Sequence, residues 1–60
     1  MKPEYLGDGV YIHYKEDANM FCLTTDTHDH NTAPNVIWLE PQVADALLNY
    51  IKKTAEFYTK

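Results

Sequence analysis

The chain has 60 residues, a formal net charge of −4 and five basic residues, all of them lysine. A chain of this length forms a single domain, here residues 1–60, because it buries only about 60% of the surface that its unfolded form exposes. The acidic balance and the lack of arginine disfavour direct binding to DNA or RNA, since phosphate recognition depends on clustered lysine and arginine.

The compartment can also be predicted from composition. No apolar run approaches the ~20 residues of a membrane-spanning helix, and the N-terminal residues lack the apolar region of a signal peptide. Cys22 is the only cysteine, so the chain cannot form an internal disulfide, which favours a reducing compartment. We expect a cytosolic protein that does not bind membranes.

Two strands are predicted in the first half of the chain. Gly7-Asp8-Gly9 is typical of a turn, and residues 10–15 (VYIHYK) have the β-branched and aromatic content that favours a strand. Asn19 tolerates the left-handed conformation that closes a short hairpin loop. Residues 20–25 (MFCLTT) should therefore form a second strand, antiparallel to the first.

A loop and a third strand follow. Residues 26–35 (DTHDHNTAPN) are rich in turn formers and have no apolar period, so they are predicted to form a loop, although a long one for a hairpin connection. Residues 36–39 (VIWL) are a third strand, which ends before Pro41 because proline cannot donate to the ladder.

The last segment has a different spacing of apolar residues. From residue 41 to residue 58, apolar residues recur at spacings of three and four, which is typical of an amphipathic helix. These residues are Val43, Ala44, Leu47, Leu48, Ile51, Ala55 and Tyr58. The sequence thus predicts an α+β fold in which a three-stranded antiparallel β-meander precedes one C-terminal α-helix.

The three strands are apolar on both sides, whereas one helix covers only one face of a sheet. In the first strand Val10, Ile12 and Tyr14 are predicted to oppose Tyr11, His13 and Lys15; in the second, Phe21 and Leu23 oppose Met20 and Cys22; and in the third, Ile37 and Leu39 oppose Val36 and Trp38. Leaving either set exposed is costly. We therefore predict a homodimer or larger homo-oligomer that uses the second sheet face or an edge strand. The alternative is that residues 1–6 and 57–60 fold back over that face.

The chain also contains metal-ligand residue types. His28 and His30, with Asp26 nearby, could bind a transition metal, but a structural zinc site needs four ligands in tetrahedral geometry. A solvated loop without metal is the preferred interpretation. A metal-binding role for the His28/His30 loop stays open as an alternative.

Catalysis is disfavoured by the residues available. Cys22 and His13 are the one possible thiol and imidazole pair, and Cys22 is expected to pack as a small apolar group. The Gly7-Asp8-Gly9 turn is expected to lack the preceding strand and following helix of a phosphate-binding loop. We predict a non-enzymatic protein without a cofactor.

Two segments of the chain resemble motifs of known proteins. Residues 5–11 read YLGDGVY, and residues 37–47 read IWLEPQVADAL. The chain resembles, over nearly its whole length, a group of very small bacteriophage and prophage proteins that have YLGDGVY and LEPxVxxAL motifs in this order. The resemblance implies a phage origin and a location in the host cytoplasm, and it supplies no catalytic residues. Small accessory phage proteins often block a host protein, including components of anti-phage defence.

The leading hypothesis is therefore a protein that binds other proteins. An oligomer would present Trp38, Tyr11 and Tyr14, or the loop that contains His28 and His30, to a host protein and inhibit it.

A second hypothesis is a sponge that sequesters a small nucleotide signal. In that case Lys15, Lys52 or Lys53 would face the phosphates, and a tyrosine would stack on the base. The small number of cations disfavours this function.

Overall fold

Four antiparallel strands and one helix follow one another along the chain in the computed structural model, which describes residues 1–58. They are β1 (Glu4–Gly7), β2 (Val10–Lys15), β3 (Met20–Thr25), β4 (Val36–Leu39) and α1 (Pro41–Tyr58). The strands form one sheet in the order β1-β2-β3-β4. The predicted α+β class is confirmed, and so are the bounds of three strands and of the helix.

The predicted number of strands is wrong, because β1 adds a fourth. Glu4 lies opposite Ile12, and the register shifts in a bulge between Tyr5 and Gly7. The turn has φ values of 119° at Gly7, 53° at Asp8 and 79° at Gly9, in the left-handed region that glycine adopts without steric cost. Such a turn folds the preceding residues back onto β2. A strand therefore does precede this turn, and β2 rather than a helix follows it.

The hairpin between β2 and β3 closes as expected. Asn19 has a φ of 51°, and its backbone N–H donates to the carbonyl oxygen of Glu16 at 3.3 Å. The Tyr14 hydroxyl donates to Oδ1 of Asn19 at 2.6 Å. The predicted left-handed conformation at Asn19 is thus confirmed, and its side chain also ties the turn to the end of β2.

The strand register sorts the side chains onto two faces. Ile12 lies opposite Leu23, and Leu23 opposite Ile37, whereas Cys22 lies opposite Trp38. The helix face carries Val10, Ile12, Tyr14, Phe21, Leu23, Ile37 and Leu39. The loop face carries Tyr11, His13, Met20, Cys22, Thr24, Val36 and Trp38. This division confirms the predicted alternation of apolar residues.

Residues 26–35 cover the loop face. The Thr24 hydroxyl donates to the carbonyl oxygen of Thr27 at 2.7 Å, and the only two buried residues of the described chain, Cys22 and Thr24, expose 2% and 3% of their surfaces. The expectation that the second sheet face stays uncovered is therefore wrong. Its cover is the long loop. Of the terminal segments that were the alternative, residues 4–6 belong to β1 and residues 57–58 to α1, and residues 59–60 lie outside the described part of the chain.

The helix covers its face less completely. The backbone N–H groups of Val43 and Ala44 donate to the carbonyl oxygen of Glu40 at 3.0 and 2.9 Å, so α1 begins directly after β4. It contacts only β3 and β4 among the described strands, and no residue between Pro41 and Tyr58 is buried. The half of the helix face that belongs to β1 and β2 consequently stays open.

Candidate protein-binding surface

Four of the five predicted partner-binding residues lie together on the loop face or in the loop that covers it. The ring of His28 lies 6.3 Å from that of Tyr11 between centroids, and the ring of His30 lies 5.2 Å from that of Trp38. Both pairs meet close to edge-on, a favourable aromatic geometry. These side chains therefore hold the loop against the sheet, and Trp38 retains 40% exposure.

Tyr14 is separated from the other four because it lies on the helix face. Its ring centroid is 5.0 Å from that of Phe21, its neighbour opposite on β3. The phenol oxygen is occupied by the hydrogen bond to Asn19. Tyr14 is thus part of the floor of the half-open face rather than of the histidine loop.

The histidine loop does not assemble a metal site. His28 and His30 contact different aromatic rings, and Asp26 adopts a φ of 69° while its backbone N–H donates to the carbonyl oxygen of Gly9 at 2.8 Å. Within residues 1–58, no three His, Cys, Asp or Glu side chains are grouped closely enough to hold a metal ion. The geometry instead fits a packed cover over the sheet.

Cys22 and His13 lie opposite each other on β3 and β2, as a thiol and imidazole pair would require. Burial raises the pKa of the Cys22 thiol, and nearby Lys15 lowers it to a smaller extent. A thiol with a raised pKa holds its proton at neutral pH and is a poor nucleophile. The physical setting therefore favours a packing role for Cys22.

An open apolar groove lies between α1 and the sheet. Its volume is about 280 Å³. The groove is lined from the sheet by Ile12, Phe21 and Leu39 and from the helix by Ala44, Asp45, Leu47, Leu48 and Ile51. Among the described residues, Asp45 is the one charged side chain that lines this helix groove, so a segment that occupies it must be largely apolar.

A second hollow adjoins the helix groove on the side of the N-terminal residues. Its volume is about 160 Å³. It is lined by Met1, Lys2, Glu4, Ile12, His13, Tyr14 and Phe21. Because Ile12 and Phe21 belong to both hollows, the two form one trough across the helix face. The shared residues belong to β2, which makes no close backbone contact with α1, and to β3.

Exposed apolar side chains concentrate on β4 and α1. Of twelve large apolar residues that are exposed within residues 1–58, nine belong to these two elements. They are Ile37, Trp38, Val43, Leu47, Leu48, Tyr50, Ile51, Phe57 and Tyr58. The sequence prediction assigned only Trp38 of this group to a binding surface. For the helix residues of this group, the sequence does contain a signal: the apolar residues of α1 cover a wider arc of the helix than packing on one sheet face requires.

The chain exposes more surface than a compact monomer of its size. A folded monomer of 7.0 kDa exposes about 4,000 Å², whereas this chain exposes 4735 Å². Its radius of gyration is 12.6 Å, compared with about 10 Å for a compact domain of this length. The excess of about 700 Å² is consistent with the nearly bare helix.

Within the described residues, α1 is not apolar enough to cross a membrane. No protein-family model matches the chain, and neither do curated proteins or solved structures.

Proposed function

We propose that this chain is a small phage accessory protein that acts by binding proteins: it associates with itself and, as an oligomer, binds and inhibits a protein of the host cell. The observation that carries the proposal is the concentration of exposed apolar side chains on β4 and α1. Large contiguous apolar patches are rare on soluble monomers and mark interaction sites. The part of this exposed set that lies together is on the helix, where Leu47, Leu48 and Ile51 line one groove.

The chemistry of the exposed set fits a protein partner. Trp38, Tyr50 and Phe57 are exposed aromatic residues, and aromatic residues are enriched at protein interfaces because each offers a large contact area. The net charge of −4 works against a polyanionic partner. Lys52 and Lys53 are helix residues that do not line the helix groove, which also disfavours phosphate binding in that groove.

The helix groove is the part of the surface best suited to a host protein. A groove lined by Ile12, Phe21 and Leu48 accepts an apolar strand edge or one face of an amphipathic helix. The motifs shared with small phage proteins support a host-cytoplasm setting, in which inhibition of a host protein, such as a defence component, is the expected consequence of binding.

A capture experiment with two matched helix variants tests this proposal. Leu48→Glu places a charge in the helix groove, whereas Lys52→Glu changes a charge outside the groove on the same helix. A host protein that binds the groove is retained by the unmodified chain and by Lys52→Glu and is lost with Leu48→Glu. If no host protein separates the two variants, while both remain folded by circular dichroism, the groove is not the binding site.

A further inference from the structure

The two outer strands of the sheet differ in how their free edges are protected. An unprotected edge pairs with further strands, and natural proteins prevent this with charged side chains or β-bulges. β1 carries Glu4 and a bulge between Tyr5 and Gly7. β4 consists of four apolar residues (VIWL) in a regular register with β3. The edge at β4 is therefore the one open to another strand.

The ladder between β3 and β4 shows which backbone groups face the free edge of β4. The backbone N–H of Thr25 donates to the carbonyl oxygen of Asn35, so these two residues form a hydrogen-bonded pair. Such pairs alternate with non-hydrogen-bonded pairs along antiparallel strands, which makes Ile37 the next residue bonded to β3. The N–H and C=O groups of Val36 and Trp38 therefore point away from β3, and no strand lies beyond β4 in the described part of the chain.

Side-chain exposure also indicates an occupant at this edge. Ile37 and Trp38 are adjacent in β4, so their side chains project to opposite faces of the sheet. They are 55% and 40% exposed. An occupant of one sheet face would cover only one of these side chains, whereas a strand added alongside β4 covers both.

Resting on the self-association in the function proposed above, we propose that β4 pairs with β4 of a second copy, antiparallel and around a two-fold axis at Ile37. In this register Val36 forms a hydrogen-bonded pair with Trp38 of the second copy, and the axis repeats that pair. The N–H and C=O groups that face the edge are then all used. The two sheets join into one continuous sheet.

The residues that flank β4 select this register. A two-fold axis at Trp38 would pair Val36 with Glu40, whose carbonyl oxygen already accepts from two backbone N–H groups of α1. An axis at Val36 would pair Trp38 with Pro34, which has no N–H to donate. The axis at Ile37 is the register that leaves none of the edge groups unpaired.

The side chains of the edge are complementary to themselves as well. Across the axis, Ile37 meets Ile37 of the second copy in a non-hydrogen-bonded pair, in which opposite side chains approach most closely. On the other sheet face, Trp38 lies opposite Val36 of the second copy. Both contacts join apolar residues. None of these residues lines the helix groove, so the groove stays available to a host protein.

Exchange of charge at the axis tests this interface by sedimentation equilibrium. Ile37→Lys and Ile37→Glu each place two like charges opposite each other in the dimer. The dissociation constant of either variant should rise about 100-fold, because the apolar contact is lost and the charges repel. An equimolar mixture of the two variants should associate again as a heterodimer, because the opposed charges are then of opposite sign.

Leu6→Lys is the matched control. Leu6 is 58% exposed and belongs to β1, the strand at the opposite edge of the sheet. Its substitution introduces the same charge at similar exposure and should leave the dissociation constant unchanged. Circular dichroism verifies that all three variants are folded.

Cysteine crosslinking tests the position of the axis independently. The Cα atoms of a non-hydrogen-bonded pair lie about 4.5 Å apart, within the range that a disulfide spans. Ile37→Cys should therefore form a disulfide-linked dimer under mild oxidation, whereas Leu6→Cys should not. Cys22 is buried and stays unreactive. A dimeric chain in which Ile37→Cys does not crosslink would overturn the proposed axis.

The outcomes separate the two proposals. If the unmodified chain is dimeric but the Ile37 charge variants dimerise as tightly, the β4 interface is wrong while self-association stands. If the unmodified chain is a monomer at millimolar concentration, both are wrong. A monomer whose captured host protein is kept by Leu6→Lys and lost with Ile37→Lys would show that the edge takes a foreign strand instead of a second copy.

Discussion

The two faces of the sheet are covered by very different segments, and the less apolar segment is the better cover. The loop of residues 26–35 is polar, yet beneath it Cys22 and Thr24 are almost fully buried. Helix α1 is apolar along more than one stripe, yet none of its residues is buried. The comparison shows that burial in so small a domain depends on how a segment is held against the sheet, and not only on its hydrophobicity.

The difference follows from how each segment is attached. Both ends of the loop are tied to each other: the backbone N–H of Thr25 donates to the carbonyl oxygen of Asn35 at 3.2 Å, and the Asn35 side-chain amide donates to Oγ1 of Thr25 at 3.1 Å. The loop is thereby confined above the sheet. The helix follows β4 directly and contacts only β3 and β4 among the described strands, so it leaves part of its sheet face open to a partner.

The largest difference in stability between the two faces is expected when neighbouring residues of β4 are replaced by alanine. Trp38→Ala removes the contact with His30 and should lower the free energy of unfolding by about 2–3 kcal/mol. Ile37→Ala, on the opposite and more open face, should cost less than about 1 kcal/mol. Urea unfolding followed by circular dichroism at low micromolar concentration measures both. Equal losses of unfolding free energy in the two variants would contradict the claim that the loop covers its sheet face better than the helix covers the other.

A smaller effect is expected from the hydrogen bond between the loop and the sheet. Thr24→Val keeps the side-chain shape but removes the donor to the carbonyl of Thr27, so the free energy of unfolding should fall by about 1–2 kcal/mol. Thr25→Val is the matched control on the same strand, where the lost hydrogen bond is exposed. The same urea titration should show a smaller loss for Thr25→Val, and the reverse order would mean that the loop does not seal Thr24.

The smallest effect on stability is expected from raising the pH, which ionises the Cys22 thiol. Burial raises the pKa of the Cys22 thiol above its ordinary value of 9.0, so the folded state favours the protonated form. Its contribution to stability is complete below the unfolded pKa and is lost as pH rises through the folded pKa. The urea midpoint should therefore fall more steeply above pH 9 in the unmodified chain than in Cys22→Ala. Identical pH profiles would show that the loop leaves the thiol accessible.

Much of the fold could be predicted from sequence because the strands have a distinct composition and the helix has a clear apolar period. The β-branched and aromatic content of residues 10–15 predicted the first strand, the hairpin residue Asn19 predicted its pairing with residues 20–25, and the three- and four-residue spacings predicted the helix. Strand β1 could not be predicted in this way, since the four residues Glu4–Gly7 include no β-branched residue and one aromatic residue. Its pairing is set by three successive residues with positive φ, and only the glycines among them are visible as a signal.

The surface was harder to predict than the fold. A polar loop gives no periodic signal for the face on which it will pack, so the contacts of His28 with Tyr11 and of His30 with Trp38 could not be foreseen. The excess of apolar residues over available cover was visible in the sequence. Its location was not, because the mismatch was assigned to the sheet face that the loop covers and not to the helix.

The most direct test of the central claim, that one apolar face remains open for a partner, is sedimentation equilibrium of the unmodified chain over a wide concentration range. We expect a mass of about 14 kDa, twice the 7.0 kDa of one chain, with reversible dissociation on dilution. A mass of 7.0 kDa at every concentration up to the millimolar range would contradict the account.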